Sequence, residues 1–370
     1  MDIQQDDWQI NSNEPRSGSE LGISEPRVAV RTCGSCWRLV LSVIAGCCMV
    51  STAEAGTVVA WGLDDFRQVS DVPIASDFVS IAASFDRTGY AMRADGSILA
   101  WGMDRYSQVR DCPTGAGYLA VEGGYYHGYA LTADGSIVSW GGPPPSNYAF
   151  PPTEPPAGGG FVAIASGTYH GYALRANGSI AAWGQIGGIN DHGQVTNTPT
   201  GNSFRAIAGG YFHGYALDND GRIWAWGRDA MGAVSQTPKD LGYVAIASGM
   251  EFGLALRADG SIVGWGNDVH GPVSGIPKES GFIAIAAGSF HGYALRSNGT
   301  IAAWGYDSSG QVANTPKGNG FVAIAAGHGH GFALRESGPR GVVPEPSTGV
   351  IGACAGLVML IHRRRNQCQG

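Results

Sequence analysis

The dipeptide Trp-Gly returns at Trp61, Trp101, Trp140, Trp183, Trp226, Trp265 and Trp304, at intervals of 40, 39, 43, 43, 39 and 39 residues. A period near 40 means one supersecondary unit copied along the chain, and copies of that length stack as a solenoid or a propeller. A second marker, Gly-(Tyr/Leu/Phe)-Ala-(Leu/Met), begins at Gly89, Gly128, Gly171, Gly214, Gly253, Gly292 and Gly331, and each of the first six lies twelve residues before the next tryptophan. Between the two sits Asp-Gly or Asn-Gly: Asp95-Gly96, Asp134-Gly135, Asn177-Gly178, Asp220-Gly221, Asp259-Gly260 and Asn298-Gly299. That dipeptide predicts six β-hairpins with type I′ turns. Runs such as Phe321 to Gly327 predict a further strand per repeat, and polar segments such as Gly310 to Pro316 predict an outer edge strand that tolerates proline.

The two ends complete one another. Trp61 has no Gly-Tyr-Ala-Leu unit before it, and Gly331-Phe332-Ala333-Leu334 has no Trp-Gly after it. The expected fold is therefore all-β: a seven-bladed β-propeller over residues 56–338, closed by pairing of Gly56 to Gly62 with the strands around 321 to 335. Closure protects sheet edges and supplies the stability that a body with one cysteine, Cys112, cannot draw from an internal disulfide.

The body carries 15 Lys and Arg against 22 Asp and Glu. A module of that balance lacks the basic field that phosphate backbones require, which speaks against a nucleic-acid partner.

Residues 1–55 read as a polar extension followed by a secretory signal. Arg31 and Arg38 precede the apolar run Leu39 to Val50, and Ala53-Glu54-Ala55 supplies small residues for cleavage before Gly56. Ile44-Ala45-Gly46-Cys47 offers a second reading, resembling a lipobox with an acylated Cys47. Residues 339–347 form a linker holding Pro344-Glu345-Pro346, and residues 348–370 hold an apolar stretch followed by Arg363, Arg364 and Arg365. This order resembles the PEP-CTERM sorting signal, which implies transient membrane insertion, processing by an exosortase-type enzyme, and display at the surface or in the extracellular matrix of a Gram-negative bacterium. The apolar stretch of about 14 residues spans about 21 Å as a helix, short of the roughly 30 Å of a hydrocarbon core.

Ala-Ile-Ala-Ala-Gly, His-Gly-Tyr-Ala-Leu, Asn-Gly-Thr-Ile-Ala-Ala-Trp-Gly and Gly-Gln-Val resemble the repeats of the regulator of chromosome condensation family. The short period is most similar to the compact bacterial branch that includes a propeller-type β-lactamase inhibitor. The resemblance implies a seven-bladed propeller, and it implies a structural hydrogen bond for the histidine before each Gly-Tyr-Ala-Leu: His127, His170, His213, His291 and His330. It does not specify function, which lives in grafted loops.

Nothing in the sequence stands apart as a catalytic triad, carboxylate pair, phosphate loop or metal motif, so no enzyme activity, cofactor or metal is expected. The functional signal is aromatic. Tyr125, Tyr126, Tyr169, Tyr211, Phe212 and Phe290 precede the repeated histidine position, with Phe252 in the corresponding stretch of its repeat. Rings gathered on one rim form a contact platform for an extracellular protein or a glycan. The same rings also suit the cover of blade interfaces, which would leave a purely structural matrix protein.

Overall fold

The computed structural model describes residues 55–142, 154–184, 186 and 190–337. The expected secretory leader, the proline-rich residues 143–153 and the expected sorting segment with Pro344, Glu345, Pro346 and Arg363 to Arg365 lie outside them. The described chain is all-β, and its one helical element is the single 3-10 turn Ala230–Gly232.

Each repeat folds as an antiparallel three-stranded unit, for example Phe282–Ala287, His291–Arg296 and Ile301–Gly305. Five three-stranded sheets of this kind occur among the described residues. A sixth sheet has six strands, in the order Phe321–Ala326, His330–Glu336, Gly56–Gly62, Phe78–Ala83, Thr88–Arg93 and Ile98–Gly102. Within it Gly56–Gly62 pairs along its whole length with His330–Glu336, but touches Phe78–Ala83 only at Gly56. The first and second strands of each unit are the buried ones, the first packing on the first strands of its neighbours, while the third is half exposed.

The twelve-residue spacing of the two markers has a direct cause. Hairpin register sets Gly89 opposite Trp101, Gly253 opposite Trp265 and Gly292 opposite Trp304. The indole lies flat over its glycine, so a Cβ at Gly253 would stand 2.2 Å from the Trp265 ring. Each indole then reaches back to the preceding unit. Trp101, Trp140, Trp226, Trp265 and Trp304 donate Nε1–H to the carbonyls of Gln68, Gln108, Gln194, Ala233 and Pro272 at 2.9–3.0 Å. A Tyr two residues after the histidine packs edge-on against the tryptophan of the following unit, as in Tyr172 with Trp226 at 5.1 Å. One motif thus builds both the hairpin and its junction with the neighbour.

Two expectations need correction. The hairpins are not type I′, because only the glycine has positive φ, 76–82° at the six Asp-Gly or Asn-Gly sites. Gly96 N–H bonds Arg93 O and Arg93 N–H bonds Ser97 O, which makes a three-residue loop with the glycine as a left-handed bulge. The aspartate earns its place by accepting the Ser97 amide at 2.8 Å. After Trp61, Trp101, Trp226, Trp265 and Trp304 the segment is a turn and not an edge strand. Its own side chains close it: Asp307 Oδ1 accepts the amides of Val312 and Ala313, and Gln311 Oε1 accepts that of Ser309. Backbone donors captured locally are lost to a sheet ladder.

The repeated histidines are buried to 0–1% exposure. The expected hydrogen bond is present for His213, whose Nε2 lies 2.9 Å from Ser248 Oγ. At His170, His291 and His330 neither ring nitrogen has a partner. These rings act by packing: each fills the space over a glycine, such as Gly167 under His170, at the junction with the next unit. Cys112 is a free thiol that burial pushes up to about 12, so it is poorly nucleophilic.

Candidate functional site

At the end of the units opposite the hairpins, two sets of loops meet. One joins the first and second strands and carries Tyr125, Tyr126, Tyr169, Tyr211, Phe212 and Phe290. The other is the turn after Trp-Gly, where the residue two before the loop glutamine recurs as Phe66, Tyr106 and His192, with Met231 and His270 at the same place in units lacking the glutamine. In four units the glutamine side chain accepts the amide of this residue, at Phe66, Tyr106, His192 and, where the position holds a small side chain, Ser309, which gives the residue a fixed base.

The two sets interlock into an arc. Tyr106 meets Tyr126 at 4.5 Å edge-on, Tyr126 meets Tyr169 at 5.3 Å, and Tyr169 stacks on Phe212 at 5.6 Å with 14° between planes. Tyr125 and Tyr211 flank it at 4.5 and 4.3 Å from Tyr126 and Phe212, and His192 closes it against Phe212 at 5.0 Å. The Tyr126 and Tyr169 hydroxyls lie 3.3 Å apart. Burial pushes the phenols of Tyr125, Tyr126 and Tyr211 up, so they stay protonated donors at neutral pH. All the rings are half-buried except Phe212, which is 5% exposed and supports the others from beneath.

Two sequence expectations separate from this arc. Phe290 belongs to a second group with His270 at 5.6 Å and Tyr306 at 6.4 Å. Between the groups stands the ion pair of Arg228 and Glu251 at 3.4 Å. Phe252 is not a rim residue at all. It opens the strand Phe252–Arg257 in the histidine position, is fully buried, and covers Gly249 as the histidines cover their glycines. The rim position of that unit is Glu251.

Sequence reasoning did not single out Tyr106, His270 and Tyr306, which lie in the turn between Trp-Gly and the segment read as an edge strand, and it set His192 aside as drift in a longer repeat. Recurrence of a large side chain five residues after Trp61, Trp101, Trp226 and Trp265 was the available signal for Tyr106 and His270. It also missed Asp86, which lies at 1% exposure beside the arc. Its Oδ2 accepts from Gln108 Nε2 at 3.1 Å, and Oδ1 has no partner. Burial pushes this carboxyl up to about 7, against the pull of Arg87, Gln108 and Arg105. No group of three His, Cys, Asp or Glu among the described residues is placed to hold a metal.

The regulator of chromosome condensation repeat model matches residues 204–233 and 282–311. No curated protein matches. Solved structures share the fold at low identity. Prp20p of Saccharomyces cerevisiae, described with its binding to Gsp1p and histones, is 16% identical with a TM-score of 0.60, covering 77% of this chain and 92% of Prp20p. Human WBSCR16 is 17% identical with a TM-score of 0.57, covering 76% and 99%. The ectodomain of the receptor kinase CR4 of Physcomitrella patens is 23% identical with a TM-score of 0.54, covering 68% and 69%. The chain is thus similar to propellers built from this repeat.

Proposed function

We propose that this propeller with regulator of chromosome condensation-type repeats is an exported, non-catalytic binding module of seven closed blades that recognises a protein through the aromatic arc. Closure is supported by contacts that repeat the pattern of every other junction across the chain ends. Trp61 donates to Gln311 O at 2.9 Å, Tyr293 packs edge-on against Trp61, and Phe332 packs against Trp101. Taking the six-stranded sheet as two blades joined at Gly56 gives seven blades, with Gly56–Gly62 completing the last.

The observation that carries the binding role is the arc itself. Rings from successive repeats are fixed side by side, preorganised, with protonated hydroxyls at their edges, which is the chemistry of protein hot spots. Most contacts within the arc are edge to face, which locks each ring against its neighbours. Prp20p, which has the same fold, binds proteins. Export is supported by sequence alone: the first strand starts at Gly56, directly after Ala53-Glu54-Ala55.

A photo-crosslinking amino acid in place of Tyr106 in the native cell is expected to give discrete protein adducts, and one in place of Ser261 at the hairpin end none. Tyr126→Ala should weaken the captured interaction by about tenfold or more. Adducts equally abundant from both positions, or none with weak multivalent binding on a glycan array, would replace the protein reading with a structural or glycan one. Terminal sequencing of the released protein is expected to show a start at Gly56 and an end near Pro346. Retention of Arg363 to Arg365 would make it membrane-anchored, and lipid on Cys47 would make it a lipoprotein.

A further inference from the structure

Charge divides unevenly between the two ends of the strands. At the hairpin end three arginines are matched locally: Arg93 pairs with Asp77 at 2.8 Å, and Arg257 and Arg296 pair with Asp240 and Glu279. At the loop end five turns open with an aspartate, Asp64, Asp104, Asp229, Asp268 or Asp307, whose Oδ1 accepts two amides of its own turn at 2.7–3.0 Å. Amide donors hold a carboxylate in place without cancelling its charge. At Asp64 and Asp268 partial burial pushes upward, yet the amide donors still hold the carboxyl below its ordinary value, and the Ser235 amide does the same at Asp229. Among the described residues the two sets of loops at this end carry five arginines, Arg67, Arg87, Arg105, Arg110 and Arg228, of which Arg67 is paired with Asp71, Arg87 with Asp65, Arg110 with Asp111 and Arg228 with Glu251. The carboxylates of these loops outnumber them, so an acidic excess lies on the end of the strands that carries the aromatic arc.

The arc's rings already hold guanidinium groups of the protein itself, Arg105 at 5.5 Å over Tyr106 and Arg228 at 5.8 Å over Phe212. Asp86 Oδ1 is buried and unpartnered beside them.

The geometry points to a cationic protein segment, rich in lysine and arginine, as the partner of this face, an inference that rests on the arc being a protein-binding site. The aspartates steer the segment and the tyrosines take its cationic side chains face-on. The chain's own basic tail starts from the other end, since Ser337 N–H meets Ala55 O at the hairpin end of the strands.

The test uses the full chain in mild detergent and labelled nona-arginine and nona-glutamate peptides. Binding of nona-arginine alone is expected, weakening as salt rises. The combined variant Asp104→Asn, Asp229→Asn, Asp268→Asn should bind about tenfold more weakly. Asparagine keeps the Oδ1 acceptor, so the turns should survive, which circular dichroism checks. Tyr126→Ala should bind about tenfold more weakly with charge unchanged, while Asp95→Asn with Asp259→Asn should bind as before. No binding of nona-arginine, or an equal loss from the hairpin-end pair, overturns the inference. So does binding at least tenfold tighter after Arg363→Gln, Arg364→Gln and Arg365→Gln, which would make the tail the occupant. Discrete adducts from position 106 together with no peptide binding would leave the arc standing and remove only the cationic partner.

Discussion

Lowering the pH from 7 towards 4.5 is expected to unfold the protein in one cooperative step, seen as a shift in tryptophan fluorescence. His127, His170, His213, His291 and His330 are fully buried, and desolvation brings each down to about 3. An unfolded histidine takes its proton near 6.5. Between 6.5 and 3 the unfolded chain therefore binds more protons than the native one, so stability falls as pH falls through that window. Each group contributes about 1.4 kcal/mol per pH unit there, and the set together about 7 kcal/mol per unit, against a total stability of roughly 5–15 kcal/mol. Asp86, raised to about 7, works in the opposite direction as one group against five, because its native form takes the proton first. Phe252 shows that the slot accepts a ring that cannot charge. His170→Phe with His291→Phe should accordingly move the transition to lower pH. A wild type folded at pH 4, or a double variant with an unmoved midpoint, would remove the buried histidines as the cause.

Gly253→Ala is expected to cost about 4 kcal/mol or more in chemical denaturation, although the residue sits in an ordinary strand. The added methyl would stand 2.2 and 2.4 Å from the Trp265 ring, inside any permissible contact. The indole cannot retreat, being 3% exposed, bonded to Ala233 O at 3.0 Å and packed edge-on against Tyr215 at 5.1 Å. Overpacking of a core usually costs about 1–3 kcal/mol, and loss of the junction bond adds to that. Trp265→Leu alone should also destabilise, by removing ring and donor together. The double variant should be less damaging than the two separate costs combined, because the clash exists only while the indole is present. Strict additivity would show that Gly253 is required for some other reason.

Much of this was legible in the chain because it is local. The spacing from Gly253 to Trp265 encodes a cross-strand pair, and the glycine of Asp259-Gly260 encodes a left-handed turn residue; neither depends on distant neighbours. The matching of Gly56–Gly62 to the last repeat followed from the same motif cut at both ends. Residues whose role is set by contacts across units were not legible. Phe252 looked like a rim aromatic but fills a histidine slot, because one position along the strand exchanges the buried face for the loop. Tyr106 drew no notice in the sequence, because its place on the rim depends on the Asp104 carboxylate taking the amides of Val109 and Arg110 and so closing the turn that carries the ring. The arc from Tyr106 to Phe212 joins side chains up to 43 residues apart at each step, and the sequence determines which rings each repeat carries. Only the packing of one unit on the next decides which of those rings touch, since contact depends on the offset between sheets and not on order along the chain.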